Sequence, residues 1–318
     1  MTKIFTLDEI KQVINPEEAI QAIEEGFLLY AKNLVVVAPL ASLEIENNGI
    51  AKIKYGYIKG KDTYVMKVGS FFPGNTEINL PSINASMQIY SQHTGAFEAL
   101  LLDEAYLTNV RTAAASVIVV KYFAPEKITK IGIIGTGIQA KFQLNYLKHI
   151  TACKKVMIWG KNIASAEQFK LDMEKQGFIV EIAKDISDII SQCNLIITAT
   201  SAVKPIIFAD PVQSGTLIIS VGADTKNKCE LHEDLLKKAD LILADSRIQC
   251  CELGNIAHAL QTRAITEDSI VELGDAMIKN IRRKDEQQII VANLTGVAVQ
   301  DIQIANLAYQ ALLKKKRN

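Results

Sequence analysis

The sequence predicts an α/β protein in which a parallel-sheet domain follows a smaller α+β domain. Three observations carry that prediction. The stretch KIGIIGTGIQA (130–140) is a short apolar run followed by GxGxxA and then a helical pattern. From there to about residue 292, apolar strands alternate with helical segments, which is the signature of a parallel sheet with crossover helices. Before it, residues 35–102 hold short β-rich runs separated by turn signals. The second half therefore reads as a Rossmann-type dinucleotide-binding domain. In its turn, Gly135 lets the chain reverse, Gly137 admits a pyrophosphate, and Ala140 lets the new helix pack on its strand, with Thr136 between the glycines. The N-terminus of that helix offers free N–H groups and a positive dipole end to phosphates.

Composition sets the outer limits. At 318 residues the chain is long enough for two domains, and 49% hydrophobic with 22% charged residues suits a globular protein with a sizeable core. Thirty-five basic residues balance thirty-five acidic ones, so nothing suggests nucleic acid as a partner. The longest apolar runs, such as LVVVAPLA (34–41), are too short to span a membrane, and MTKIFTLDEI is no signal peptide. Five cysteines without CxxC spacing predict free thiols and a cytoplasmic location. The four histidines form no metal spacing, so no metal is expected.

The elements follow in order. Thr6 and Glu9 form a capping-box pair, and Asn15-Pro16-Glu17-Glu18 opens a helix over about 16–32 with Ala19, Ile23, Phe27 and Tyr30 on one face. IAKIKYGYI, TYVMKVGSF, ASMQIYS and FEALLLD read as strands of a mostly antiparallel sheet, with Asn-Asn-Gly among the turns. LTNVRTAAASVIVVKYF (107–123) is helical and ends before Pro125. VMIW (156–159), FIVEIA, NLIITAT, TLIISVGAD and DLILAD are parallel strands, interleaved with helices near 163–176, 185–192 and 231–238. GVAVQDIQIANLAYQALLKKK is an amphipathic helix with a basic end, Lys-Lys-Lys-Arg, that suits its dipole. The domains are expected at 1–120 with 297–318, and at 121–296.

Several residues can carry chemistry. No acid follows the second strand of the parallel sheet, where a carboxylate would hold a ribose hydroxyl. Trp159-Gly160-Lys161-Asn162 stands there instead, and Lys161 would attract a 2′-phosphate, which favours NADP(H) over NAD(H). In TATSAVKP, Thr198, Thr200 and Ser201 can donate to a dinucleotide, or the stretch is an ordinary Ser/Thr turn. Asp224 ends SVGAD at a strand's carboxyl end, as a general acid/base or as a cap for the next helix. Lys67 lies within an apolar strand and Arg111 within a small-residue helix; each needs a partner, either a substrate carboxylate or, for Arg111, Asp103 or Glu104. Lys52 and Lys54 are further cations, in the substrate site or facing solvent.

Together, LLLDEAYLTNVRTAAAS, GIIGTGIQA, SVGADTKNKCELHEDLL, MKVGSFFP and TGVAVQDIQIA resemble the ornithine cyclodeaminase/mu-crystallin family over nearly the whole chain. The resemblance implies a homodimer whose first domain binds substrate and pairs between subunits, a nicotinamide cofactor, and a small imino- or amino-acid substrate. It implies that Arg111 binds the substrate carboxylate, that Lys67 contacts the substrate near the reacting carbon, and that Asp224 is the catalytic acid/base. Thr112 would touch the pyrophosphate. Ile138, Gln139, Lys161, Thr200, Val221, Gly222, Ala223, Asp224 and Lys228 would line the cofactor, with Asn84 as a further cofactor-side position. The sequence departs from the family in two places. Val36-Val37-Ala38-Pro39-Leu40 lacks the Arg of a Pro-x-Arg element, so Lys54 or Lys52 is expected to replace it. Lys161 stands where the cyclodeaminase has an acid, which moves weight toward an NADPH-using reductase of 1-pyrroline-2-carboxylate-type ketimines. Ornithine cyclodeaminase, alanine- or opine-type dehydrogenase, and a non-catalytic mu-crystallin-like ligand-binding protein are the alternatives.

Overall fold

The structure, a computed structural model, describes residues 2–46 and 48–316, without the side chain of Thr76. Asn47 of the expected Asn-Asn-Gly turn and Arg317 of the basic tail lie outside the described residues. The chain divides into two units, residues 1–111 with 298–318 and residues 112–297. The division falls inside a helix, between Arg111 and Thr112, and not at the 120/121 boundary expected from the break before Pro125.

The first unit opens with β1 (Lys3–Phe5), α1 (Leu7–Lys11) and α2 (Pro16–Ala31). Glu9 accepts the Thr6 backbone N–H at 2.8 Å, and Asn15 accepts those of Glu17 and Glu18 at 2.8 and 3.1 Å, as the capping signals require. Then come β2 (Val35–Val37), β3 (Ala41–Ile45), β4 (Gly49–Ile58), β5 (Thr63–Phe71), β6 (Ile83–Ser91) and β7 (Phe97–Leu101). They form one sheet in the order β1-β7-β6-β5-β4-β2, with β3 beside β4. All pairs are antiparallel except β1 with β7. β1, three residues long and too short to announce itself, is a strand because it adds to the edge of β7.

The strand period of two separates the faces of this sheet. Val65, Lys67, Ala85, Met87, Ile89, Ala99 and Leu101 point inward and are buried. Gly56 shares that face, where an added Cβ would lie 3.3 Å from Ile302 of the C-terminal helix. The other face carries Tyr57, Tyr64, Tyr90 and Phe97 in register across four strands. Tyr64 and Tyr90 stack at 4.8 Å, and Tyr90 and Phe97 lie 5.0 Å apart.

α3 (Tyr106–Phe123) crosses into the second unit, which contains β8 (Ile131–Ile134), α4 (Ile138–Leu147), β9 (Lys155–Trp159), α5 (Ile163–Glu174), β10 (Ile179–Ile182), α6 (Ile186–Gln192), β11 (Leu195–Thr198), β12 (Leu217–Ser220), α7 (Glu233–Lys238), β13 (Leu241–Ala244), α8 (Arg247–Glu252), α9 (Gly254–Gln261), β14 (Ile270–Glu272), α10 (Leu273–Ile278) and β15 (Ile290–Asn293). The C-terminal helix, α11 (Ala298–Lys315), belongs to the first unit. The eight strands are all parallel, in the order β10-β9-β8-β11-β12-β15-β13-β14. Strand order reverses between β8 and β11, so the crevice for a ligand opens at the carboxyl ends of those two strands. The apolar runs are buried on both faces, as a covered parallel sheet demands. No helix among the described residues is long and apolar enough to cross a membrane.

Candidate active site

In the first unit, two neighbouring strands and two helices bring four charged side chains together. Lys54 on β4 pairs in register with Lys67 on β5, and both lie on the inward face. Asp301, on the first turn of α11, accepts Lys67 Nζ at 3.0 Å and lies 3.2 Å from Arg111 Nε. Arg111 Nη1 donates to Gln300 Oε1 at 2.7 Å. Lys67, Arg111 and Asp301 are all buried, at 6%, 7% and 1% exposure, so each cation has a nearby anion where an isolated charge would be costly. The partner of Arg111 is thus Asp301, and not Asp103 or Glu104. Periodicity hides it, because Asp301 is an acid on the apolar side of an otherwise ordinary amphipathic helix.

Burial pushes the Lys67 ammonium down, and Asp301 only partly opposes this. Lys54, half-buried on the same face, is pushed down to about 7, chiefly by burial and then by Arg111 and Lys67. Burial alone would raise Asp301, but Lys67, Arg111 and Lys54 outweigh it and hold its carboxyl below the usual range. Asp103, fully buried, is raised to about 7 by burial, which its bond from Leu107 N–H and the charge of Lys67 only partly offset. That bond, at 2.9 Å, caps the start of α3. It spans Glu104 and Ala105, both held at positive φ, an unfavourable conformation for residues with a Cβ. Lys54 therefore belongs to the cationic cluster. Asn84 is exposed on the opposite face of the sheet from Lys67, and its assignment to the cofactor rests on the resemblance alone.

In the second unit, Gly135 has φ +115°, and an added Cβ would lie 2.4 Å from the carbonyl oxygen of Ala199. The glycine is required because the turn after β8 presses on the backbone after β11. Gly137 is different: a Cβ there would meet nothing within 4 Å. It precedes α4 and gives that helix no side-chain cap, so no cap side chain covers the first N–H groups of α4. Ile138 is 58% exposed beside them, Gln139 is half-buried, and Thr136 packs against Gly160. After β9, Lys161 is exposed, while Asn162 caps α5 by accepting Ser165 N–H at 3.2 Å. Thr112 is half-buried on α3.

The loops after β11 and β12 are held by a residue that sequence reasoning missed. Glu230, fully buried, accepts Thr198 Oγ1, Thr200 Oγ1 and Thr200 N at 2.7 Å each, Ser220 Oγ at 2.7 Å and Gly222 N at 3.0 Å. Each hydroxyl has one proton to give. Thr198 and Thr200 therefore spend theirs on Glu230, which corrects the expectation that they donate to a dinucleotide. Val221, Gly222 and Ala223 lead on to Asp224, which accepts Lys228 Nζ at 2.8 Å. Asp224 does not cap the next helix; His232 caps α7, its Nδ1 accepting Asp234 N–H at 3.3 Å. A second buried acid, Asp245, accepts the N–H of Thr295 at 3.1 Å and of Gly296 at 2.6 Å. Neither Glu230 nor Asp245 stands in a pattern that marks it; each is an acid whose donors come from distant loops. Among the described residues no group of acids, cysteines and histidines could hold a metal ion.

The model of the ornithine cyclodeaminase/mu-crystallin family matches residues 1–316. An uncharacterized cyclodeaminase of Sinorhizobium fredii is 33% identical over 97% of this chain and 95% of its own length. The solved Delta(1)-pyrroline-2-carboxylate reductase of Thermococcus litoralis, in complex with NADH and L-proline, superposes with TM-score 0.94 at 27% identity, covering 99% of this chain and 98% of that one. An archaeal alanine dehydrogenase dimer with bound NAD superposes with TM-score 0.92 at 30% identity, covering 99% and 97%.

Proposed function

The chain belongs to the ornithine cyclodeaminase/mu-crystallin family, and from that premise we propose that it is a nicotinamide-dependent enzyme of amino-acid metabolism. Its reaction is hydride transfer at the Cα–N centre of a small imino or amino acid, with a 1-pyrroline-2-carboxylate-type ketimine reductase as the leading reading. The observation that carries this is the buried cluster of Lys67, Arg111 and Asp301 with Lys54 beside it. Two buried cations held by one anion, with a third cation adjacent, form a receptor for a substrate carboxylate.

The bound dinucleotide would supply the hydride to the C=N carbon or accept it in the reverse direction. The unfilled space at Gly137 and the uncapped start of α4 suit its pyrophosphate. Arg111, its guanidinium steadied by Gln300 and Asp301, would hold the substrate carboxylate. Lys67, whose ammonium is made more acidic by burial, is suited to give a proton to the substrate nitrogen. Asp224, held by Lys228, is the second candidate acid/base. Lys161, exposed where an acid would hold a ribose hydroxyl, favours NADP(H); NAD(H) remains the alternative, since both solved relatives hold NAD or NADH.

We assign the first unit, residues 1–111 with 298–318, to substrate binding and dimerisation and the second, 112–297, to the cofactor, in a cytoplasmic homodimer. The apolar outer sheet face at Tyr57, Tyr64, Tyr90 and Phe97 supports dimerisation, and light scattering at twice the chain mass checks it. Cyclodeaminase activity is the second reading, favoured by the 33% identical relative. A substrate panel separates the two. Oxidation of NADPH with 1-pyrroline-2-carboxylate, faster than with NADH, supports the reductase. Proline and ammonia formed from ornithine with only catalytic NAD+ would replace it with the cyclodeaminase.

A further inference from the structure

The buried carboxylate of Glu230 ties together the two loops that flank the crevice on one side of the Gly135 turn. β9 lies on one side of β8 in the sheet, and β11 and β12 lie on the other. A dinucleotide with its pyrophosphate on the β8–α4 turn and its adenosine ribose beyond β9 must send its nicotinamide half toward the loops after β11 and β12. Both loops end on Glu230: residues 198–200 through two hydroxyls and one backbone N–H, residues 220–222 through one hydroxyl and one backbone N–H.

The arrangement is also braced from behind. Asn255, 1% exposed, accepts the N–H groups of Glu230 and Leu231 at 2.7 and 3.0 Å. It donates to Ser220 Oγ at 2.8 Å and to Asn293 Oδ1 at 2.6 Å. Thr198, Ser220 and Asn293 are register partners at the carboxyl ends of three adjacent strands, so the network forms a polar row across the sheet edge. Gly222 is glycine because a Cβ there would lie 2.2 Å from Thr200 O and 2.5 Å from Glu230 Oε1. The two loops touch backbone to backbone at the carboxylate. Among the described residues Glu230 has no ion-pair partner. Its charge is balanced entirely by hydrogen-bond donors drawn from the two loops, so losing the carboxylate releases the loops and not a salt bridge.

We propose that Glu230 is a positioning residue that sets the nicotinamide half of the cofactor, acting through Thr200 and Gly222 without touching the cofactor itself. The proposal rests on the reading of the protein as a nicotinamide-dependent enzyme. It also places Asp224 under the same control, because Asp224 follows Gly222 by two residues.

Glu230→Gln is a discriminating variant. Oε1 accepts Thr200 N and Oε2 accepts Gly222 N, so an amide NH2 opposes one backbone N–H whichever way it is turned. One loop is then released, while the β8–α4 turn loses no bond of its own, since none of the Glu230 bonds reaches it. Binding of NADPH and of its adenosine half, 2′-phospho-ADP-ribose, is measured by calorimetry on wild type and variant. The expected result is a dissociation constant for NADPH raised about tenfold or more, as for loss of a charged hydrogen bond, with that for the fragment within about twofold. An equal loss for both ligands, or no loss for either, would overturn the proposal. Should Glu230→Gln fail to fold, Ser220→Ala removes one donor and keeps both backbone bonds; NADPH should weaken several-fold with the fragment unchanged, and equal changes would again overturn it. If the wild type binds neither, the same pair of measurements is made with NADH and ADP-ribose; a wild-type protein that binds none of the four would instead defeat the cofactor reading on which the proposal stands.

Discussion

Asp301 and Asp103 both feel the charge of Lys67 and are driven in opposite directions. Asp301 is charged because Lys67 and Arg111 outweigh its burial, and it thereby lets two cations stay in the core. Asp103 is buried with one oxygen bonded to the start of α3 and the other without a hydrogen-bond partner, and its carboxyl is pushed up to about 7. In the unfolded chain that carboxyl titrates near 4. Between those values the unfolded chain gives up its proton first, so the contribution of Asp103 to stability falls as pH rises. Asp103→Asn removes that slope and keeps an acceptor for Leu107 N–H. Thermal melts should show the variant gaining on the wild type from pH 4 to 7 by roughly 1 kcal/mol or more; a pH-independent difference would refute the assignment. At this scale the sequence marks Lys67, Arg111 and Asp224, because charges in apolar or small-residue stretches stand out. It does not mark Asp301, Glu230, Asn255 or Asp245. Their roles come from donors that lie far away in the chain, and local pattern carries no trace of those.

The turn from β8 into α4 is the element on which cofactor binding depends, and its glycines divide the labour. Gly135 has φ +115°, where a residue with a Cβ is strained, and its backbone lies against Ala199, so Gly135→Ala should destabilise the protein by about 2 kcal/mol or more. Gly137 sits in open space with an ordinary backbone conformation, at φ −74°. Gly137→Ala should leave the melting temperature unchanged and raise the dissociation constant for NADPH about tenfold, because the new methyl occupies the pyrophosphate's place. Unchanged affinity in that variant would show that the turn does not hold phosphate. Strong elements such as this were legible from period, caps and punctuation, including α2 behind Asn15-Pro16 and the long β4, β5 and β6. Short ones were not. β1 and β14 are three-residue strands that owe their conformation to a neighbouring edge, and α8 to α10 lack the length for a helical period to emerge.

Over the whole molecule, the alternation of strands and helices announces the parallel sheet, but not that β15 is inserted between β12 and β13. Nor does local pattern reveal that α11 contributes Gln300 and Asp301 to a cluster with Arg111 on α3, 189 residues before Gln300, and Lys67 on β5, 234 residues before Asp301. The expected domains differ from the observed units for the same reason: a helix that continues across the division, α3, leaves no composition shift at Arg111. The central claim is that this chain moves hydride between a nicotinamide and the Cα of a small imino acid. Transfer of deuterium from C4-deuterated NADPH to 1-pyrroline-2-carboxylate, with the proline product read by mass spectrometry and NMR, tests it most directly. The account predicts one deuterium at the proline Cα per NADPH oxidised. Proline without the label, or no NADPH oxidation with any cyclic or open imino acid, would contradict it.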